Sequence, residues 1–333
     1  MNILVTGGAG YIGSHVLKQL LENKENNITV IDSFKTGFEK TIKTLQLFGK
    51  FEFINQDLSK WDEVEDIFRK NSFDIVIHFA ASLLVGESVT NPLKYYMNNT
   101  CNSANVLNLC NKYKVNKFIF SSTAAVYGEP DADKMPLNEF EKNNPINPYG
   151  SSKLFTEQII KDNASANKDF KYVILRYFNV AGAEESLQIG ECHEPETHLI
   201  PLVVKTALGT RKKIMIFGDD YNTPDGTCVR DYIHVDDLAS AHISSLEYLT
   251  DNESNIFNCG YGHGFSVKEV IDTVKKVSGI DFQVEIGLRR EGDPAVLIAD
   301  NKKILQLTNW KPKYDDLEFI CKTALEWERK NNG

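Results

Sequence analysis

No stretch of this chain approaches the ~20 consecutive apolar residues that a membrane-crossing helix requires, so a membrane-embedded class is set aside at once. Its six cysteines, at positions 101, 110, 192, 228, 259 and 321, include no Cys-x-x-Cys pair. That excludes a disulfide framework and points to reduced thiols in core or helix positions. Positive charge is in deficit, with 37 Lys and Arg against 46 Asp and Glu for a formal charge of −9. Nucleic acid and anionic membranes are therefore poor partners, and an anionic small ligand would need cations gathered locally. Internal repeats and low-complexity linkers are absent too. The first apolar run starts at Met1 and leaves no room for a signal peptide, so the cytoplasm is the expected location. What the chain does have is 42% hydrophobic residues over 333 positions, enough for a sizeable core and a smaller second lobe.

The strongest local signal is at the start. Asn2-Ile3-Leu4-Val5-Thr6 is a short strand-like run, followed by Gly7-Gly8-Ala9-Gly10-Tyr11-Ile12-Gly13 and then by the helical pattern Ser14 to Leu21. In this strand, turn and helix context Gly7, Gly10 and Gly13 permit a tight turn, close backbone approach to a pyrophosphate, and close helix-on-strand packing. Tyr11 and Ile12 belong to the same turn, where unpaired N–H groups favour phosphate. Ile28 to Ile31 form a second strand that ends in Asp32. A carboxylate there accepts hydrogen bonds from ribose hydroxyls and repels a 2′-phosphate, which selects NAD over NADP, with Lys35 nearby as the one contrary sign.

Further candidate strands at 51–54, 74–78, 117–121 and 172–176 alternate with helical stretches near 61–70, 92–113 and 150–167. The class is thus α/β: a Rossmann-type doubly wound parallel sheet with a smaller α/β C-terminal substrate lobe. Residues at strand C-termini face the ligand crevice in such sheets. Those residues are Asp57 and Leu58 at the adenine edge, Phe79, Ala80 and Ala81 where the backbone meets the cofactor, and the hydroxyls of Ser121-Ser122-Thr123. Tyr149 and Lys153 stand four residues apart on a helical pattern, hence on one face. A cation beside a phenol favours the phenolate, and a shift of roughly three units corresponds to about 4 kcal/mol. Such a tyrosine over a nicotinamide can remove a hydroxyl proton as the cofactor takes the hydride.

Together with Tyr95-Tyr96-Met97-Asn98-Asn99, Thr123-Ala124-Ala125-Val126-Tyr127-Gly128, Leu175-Arg176-Tyr177-Phe178-Asn179, Asp225-Gly226-Thr227-Cys228-Val229-Arg230-Asp231-Tyr232 and Arg289-Arg290-Glu291-Gly292-Asp293-Pro294, these motifs resemble the extended short-chain dehydrogenases. Within them the resemblance is to the UDP-glucose/UDP-galactose 4-epimerases, over nearly the whole length. It implies that Tyr149 is the catalytic base and acid, that Lys153 binds the nicotinamide ribose, and that Thr123 bonds the sugar hydroxyl being oxidised. Asn98 and Phe178 would line the cofactor. Asn179, His198 and Leu199 would lie along the sugar diphosphate, with Arg230 and Arg290 as its cations. Met215, Ile216, Phe217 and Asp293 would fix uracil and ribose. A UDP-sugar substrate, tightly held NAD and a homodimer are implied as partners.

The same equipment serves other outcomes. A nucleotide-sugar 4,6-dehydratase needs carboxylates directly after the strand-end threonine, where this chain has Ala124-Ala125. A net oxidoreductase and a non-catalytic NAD-sensing relative are disfavoured by the epimerase-like second half and by the intact Tyr149, Lys153 and Thr123. Three positions depart from the family pattern: Leu83 replaces a lysine near the cofactor, His198 an asparagine, and Leu297 a bulky tyrosine associated with rejection of 2-acetamido sugars. Leu297 therefore either admits UDP-N-acetylhexosamines or serves packing alone. Cys192, His193 and His198 show no zinc-like spacing, so a loop and no metal is expected there. The lobes are expected to divide at 178/179, with segments near 214–217 and 256–258 returning to the first.

Overall fold

The protein is described here by a computed structural model covering residues 1–290 and 292–332; Glu291 of the arginine motif lies outside the described residues. Seven strands form one parallel sheet in the spatial order 255–259, 171–177, 117–123, 75–78, 2–6, 27–32, 52–55. The chain starts in the middle and winds outward both ways, so a crevice opens where the direction reverses, beyond the ends of strands Asn2–Thr6 and Ile75–His78.

Alternation along each strand explains why both faces are covered. Ile3 and Val5 point into one apolar cluster with Ile75, Ile77 and Leu175, whereas Leu4, Val76, Phe118, Phe120 and Ile174 point into another. The first cluster is closed by helices Tyr11–Leu20 and Val235–Asp251, the second by Trp61–Lys70, Asn102–Lys112 and Pro148–Ala166. Strands buried on both faces need unbroken apolar runs, which is how they read in the sequence.

The second half has no separate core. Helices Leu199–Ala207, Val267–Ser278 and Leu317–Asn332 place Val203, Val270, Val274, Ile320 and Leu325 in the same apolar cluster as the first glycine helix. Local chemistry sets their bounds. Ser266 and Glu269 form a reciprocal capping box, and Gly279 closes that helix at φ 69°. No helix among the described residues is long and apolar enough to cross a membrane.

Two sequence expectations need correction. Strand Asn255–Cys259 does join the large sheet, beside Lys171–Tyr177. Strand Lys213–Phe217 does not; it pairs with Gln283–Gly287 in a separate two-stranded sheet. The long helix expected over 92–113 is broken, running as a short turn Pro92–Tyr95, a π-helical segment Tyr96–Cys101 and an α-helix Asn102–Lys112. Widened π turns of this kind concentrate at functional sites, and this one carries Asn98.

A buried ion pair ties helix Pro148–Ala166 to the sheet. Glu157 receives Arg176 Nε at 3.0 Å and Nη2 at 2.7 Å, and Ser122 Oγ at 2.6 Å. Arg176 also donates to the Tyr127 hydroxyl at 2.9 Å, which donates to Asn258 at 2.7 Å. Replacing Arg176 by methionine leaves the buried Glu157 with only the more distant Lys161, at 3.6 Å, as a charge partner and should cost about 3 kcal/mol of stability. Urea unfolding measures this, and the double variant Arg176→Met/Glu157→Gln should recover a substantial part of the loss.

Candidate active site

The crevice above the sheet holds a cavity of about 510 Å³, within the ordinary size range of small-molecule sites. Its floor is the glycine turn. A Cβ on Gly7, whose φ is +77°, would come within 2.6 Å of the Ala80 backbone nitrogen, and one on Gly13 within 2.3 Å of the Gly7 carbonyl. Only glycine lets the strand end, the turn and the helix close up this way. Gly10, Tyr11 and Ile12 line the same cavity. Asp32 is anchored by the backbone N–H groups of Ala9 at 2.9 Å and Phe34 at 2.8 Å, so its carboxylate sits fixed at the rim. Burial pushes its pKa up and those N–H groups pull it back. Lys35 is held by Asp57 at 2.6 Å, which turns the one nearby cation to a neighbour. Asp57, Leu58, Phe79, Ala80, Ala81 and Asn98 complete this end. Asn98 is oriented by a hydrogen bond to Ser82 Oγ at 3.1 Å.

At the other end Thr123, Tyr149, Lys153, Phe178 and Asn179 share the cavity wall. Asn147 caps the helix by accepting from Gly150 N at 2.9 Å, and Pro148 occupies its first turn. Tyr149 thus stands at a fixed helix start, its ring edge-on to Tyr95 at 6.4 Å. The Thr123 hydroxyl stands near the Tyr149 phenol and accepts from Ala125 N at 3.2 Å. Lys153 is buried, with Nζ donating to the Ser121 carbonyl at 2.7 Å and lying 5.0 Å from the Phe120 ring centre.

The electrostatics differ from the sequence expectation. Burial pushes the Tyr149 phenol up, and the nearby Thr123 hydroxyl only partly offsets this. Burial lowers Lys153 to about 7, against an upward pull from Glu157. Sharing a helix face was not sufficient to lower the phenol, because the ammonium reaches past it to the strand end and is itself poorly solvated.

Other expected site residues divide. His198, Arg230, Asp293 and Leu297 line the main cavity. Arg230 pairs with Asp293 and donates to the Val229 carbonyl at 2.8 Å. Asp231, next in the chain, points the opposite way. It is buried and accepts from the backbone of Tyr261, Gly262 and Ala299, with burial raising it to about 6. Arg290 lines an adjoining cavity that shares Gly292, Asp293 and Pro294, and its guanidinium lies 3.9 Å from the Phe217 ring centre. Leu199 packs against the core, and Ile216 is buried within it. Strand alternation sends Ile214 and Ile216 inward, and Met215 and Phe217 to the opposite side. Of the four expected substrate residues Leu199, Met215, Ile216 and Phe217, none lines either cavity, and Phe217 reaches the site only through Arg290. One set was missed: Glu191 and Glu196 meet His193 and His198 in a tight group, signalled by two Glu-x-His pairs five residues apart. Cys192, weighed as a partner for those histidines, is not in it.

The sequence profile of the NAD dependent epimerase/dehydratase family matches residues 3–260. The chain belongs to this family. It is 47% identical to the UDP-glucose 4-epimerase of Streptococcus mutans over 98% of this chain and 96% of that one. Among solved structures, the UDP-Glc/GlcNAc 4-epimerase of Campylobacter jejuni is 54% identical, covers 99% of each chain and superposes with a TM-score of 0.88. The Bifidobacterium longum UDP-glucose 4-epimerase, in complex with NAD+ and UDP, is 39% identical with a TM-score of 0.93, covering 100% of this chain and 99% of that one. NAD is the cofactor of this family member, and the glycine floor and the bare Asp32 rim fit it.

Lys153 has a calculable cost. Its folded pKa lies below the unfolded value, so between about 7 and the usual lysine range the unfolded chain holds a proton that the folded chain lacks. Stability therefore rises with pH across that window, and the charge penalty is fully present below it. Lys153→Met should abolish turnover yet raise stability by roughly 1–3 kcal/mol near neutral pH. Urea titrations should show the gain shrinking as pH rises toward 10.

Proposed function

We propose that the chain is a UDP-hexose 4-epimerase, an isomerase interconverting UDP-glucose and UDP-galactose through a bound 4-keto sugar. The observation that carries this reading is the grouping of Tyr149, Thr123 and Lys153 on one wall of a dinucleotide cavity, directly beside Ala124 and Ala125. NAD, when bound, accepts the hydride from C4 and returns it. Tyr149 Oη takes the C4 hydroxyl proton, with the neighbouring Thr123 hydroxyl orienting that sugar hydroxyl, and later gives the proton back on the opposite face of the sugar. Lys153 supplies a buried cation to the ribose and to the phenol. Asn179, His198 and Arg230 hold the diphosphate while the keto sugar turns, and Arg230 is placed for this by Asp293. Met215, Phe217 and Arg290 frame the nucleoside end. A 4,6-dehydratase is not favoured, since the cavity-lining carboxylates Asp32, Asp57, Glu191 and Asp293 are engaged by Phe34, Lys35, His193 and Arg230 respectively.

Residues 1–178 supply the dinucleotide half and 179–333 the substrate half, with 255–259 contributed back to the sheet. Leu297, partly exposed beside Phe178 and Ala299, leaves room for a 2-acetamido group, so UDP-N-acetylhexosamines are substrates as well. Val89, Leu93, Met97 and Phe155 are exposed on adjacent helices and suit a homodimer face; the cytoplasm fits its reduced thiols.

Purified protein should contain NAD and interconvert both UDP-hexoses without added cofactor. Tyr149→Phe should retain UDP binding and lose on the order of 10²–10⁴ in kcat. Product analysis showing loss of water would instead establish a lyase. Leu297→Tyr should depress turnover of UDP-N-acetylgalactosamine by at least about tenfold while sparing UDP-galactose, as measured by coupled assay.

A further inference from the structure

The loop ahead of helix Leu199–Ala207 carries Glu191-Cys192-His193 and Glu196-Thr197-His198, and it folds so that the four outer side chains converge. His193 Nδ1 lies 3.1 Å from Glu191 Oε1 and 3.8 Å from Glu196 Oε2. His198 Nδ1 lies 2.9 Å from Glu191 Oε1 and 2.9 Å from Glu196 Oε1. One ligand atom from each residue falls within 4.8 Å of all the others. We propose that these four residues bind one divalent transition-metal ion of the zinc type, in the wall of the dinucleotide cavity.

The geometry carries the assignment. A tetrahedral zinc ion with nitrogen and oxygen ligands at about 2.0–2.2 Å sets its ligand atoms roughly 3.3–3.5 Å apart, and the four measured separations bracket that spacing. Hydrogen bonding alone leaves the group under-used. His198 Nδ1 is equally close to two carboxylate oxygens, and one N–H can be aimed well at only one of them. Both imidazoles turn Nδ1 to the same oxygen, Glu191 Oε1. Two imidazole nitrogens with two carboxylates select zinc, cobalt or nickel over magnesium or calcium.

The surroundings hold this set in place. The Glu196 carboxylate accepts from the backbone of Thr197 at 2.7 Å and His198 at 2.8 Å, and the Glu191 carbonyl accepts from Trp327 Nε1 at 2.7 Å. Such outer contacts orient ligands for a metal. His193 stands edge-on to the ring of Tyr11 at 6.1 Å, which links the group to the glycine turn. Glu191, His193 and His198 line the cavity. The two carboxylates, with side chains only 6% exposed, are paired with the two imidazoles, and a bound metal ion would take the place of the two imidazole protons. The site shares His198 with the proposed diphosphate contacts, and it would hold the loop as a cavity wall.

The test uses NAD-loaded protein, stripped with chelator and dialysed against micromolar Zn2+ or titrated with Co2+. About one zinc per chain should be retained, with an intense tetrahedral cobalt spectrum and a raised Tm. The double variant His193→Gln/Glu196→Gln should bind at least about 100-fold more weakly while keeping its circular dichroism. Wild-type protein that retains less than about a tenth of an equivalent, or a native double variant with undiminished binding, overturns the proposal. Should the variant fail to fold, diethylpyrocarbonate labelling of wild type decides. Zinc should protect His193 and His198, and unchanged labelling by mass spectrometry rejects the site.

Discussion

The buried pair of Glu157 and Arg176 is the contact on which the reaction centre rests. It joins the helix that carries Tyr149 and Lys153 to the strands that end in Thr123 and Tyr177. Ser122 and Tyr127 complete the set of hydrogen bonds, so neither charge is left without a partner. Pairs like this add little net stability over a well-packed apolar alternative, but they fix one geometry because any other arrangement strands a charge. One turn before Glu157, the Lys153 ammonium lies against the strand end at Ser121, and one further turn back the phenol meets Thr123. Register at the pair is thus register at the chemistry.

The protein resolves its charge balance locally. An excess of acidic residues over the whole chain coexists with a cavity whose cations are few and individually directed. Lys153 is held at the Ser121 carbonyl, Lys35 is paired with Asp57, and Arg230 is steered by Asp293. Burial makes Lys153 and Arg230 count for more than they would in water, and it also makes Lys153 costly to keep charged. At the phenol burial outweighs the opposing pull of Thr123, so the lowering expected from the neighbouring cation is absent.

Much of the fold was legible because local rules carried it. The strand, glycine turn and helix at residues 2–20 and the carboxylate at Asp32 follow from periodicity, backbone freedom and strand-end position. The helix expected near 150–167 is present as well, although its start at Pro148 with Asn147 as cap, which places Tyr149, was not read from the sequence. Legibility fell wherever a residue's direction depended on a distant partner. Ile216 was expected in the nucleoside site but alternates inward to the core. Strand Lys213–Phe217 has the composition of a sheet strand and found its partner at Gln283–Gly287 instead of the large sheet. Arg230 and Asp231 look like a pair and turn opposite ways.

By itself the sequence determined the class of fold, the dinucleotide, the four-residue spacing of Tyr149 and Lys153 and the absence of carboxylates directly after Thr123, since each is a property of spacing within a few residues. Only the tertiary structure decided what those groups experience. Burial sets the ionisation of Tyr149 and Lys153, and packing decides which of the expected contacts face the cavity. The convergence of two Glu-x-His pairs beside Tyr11 likewise required the loop to close on a helix more than a hundred residues away, at Trp327. Solvation and long-range contacts are collective, and no local pattern encodes them.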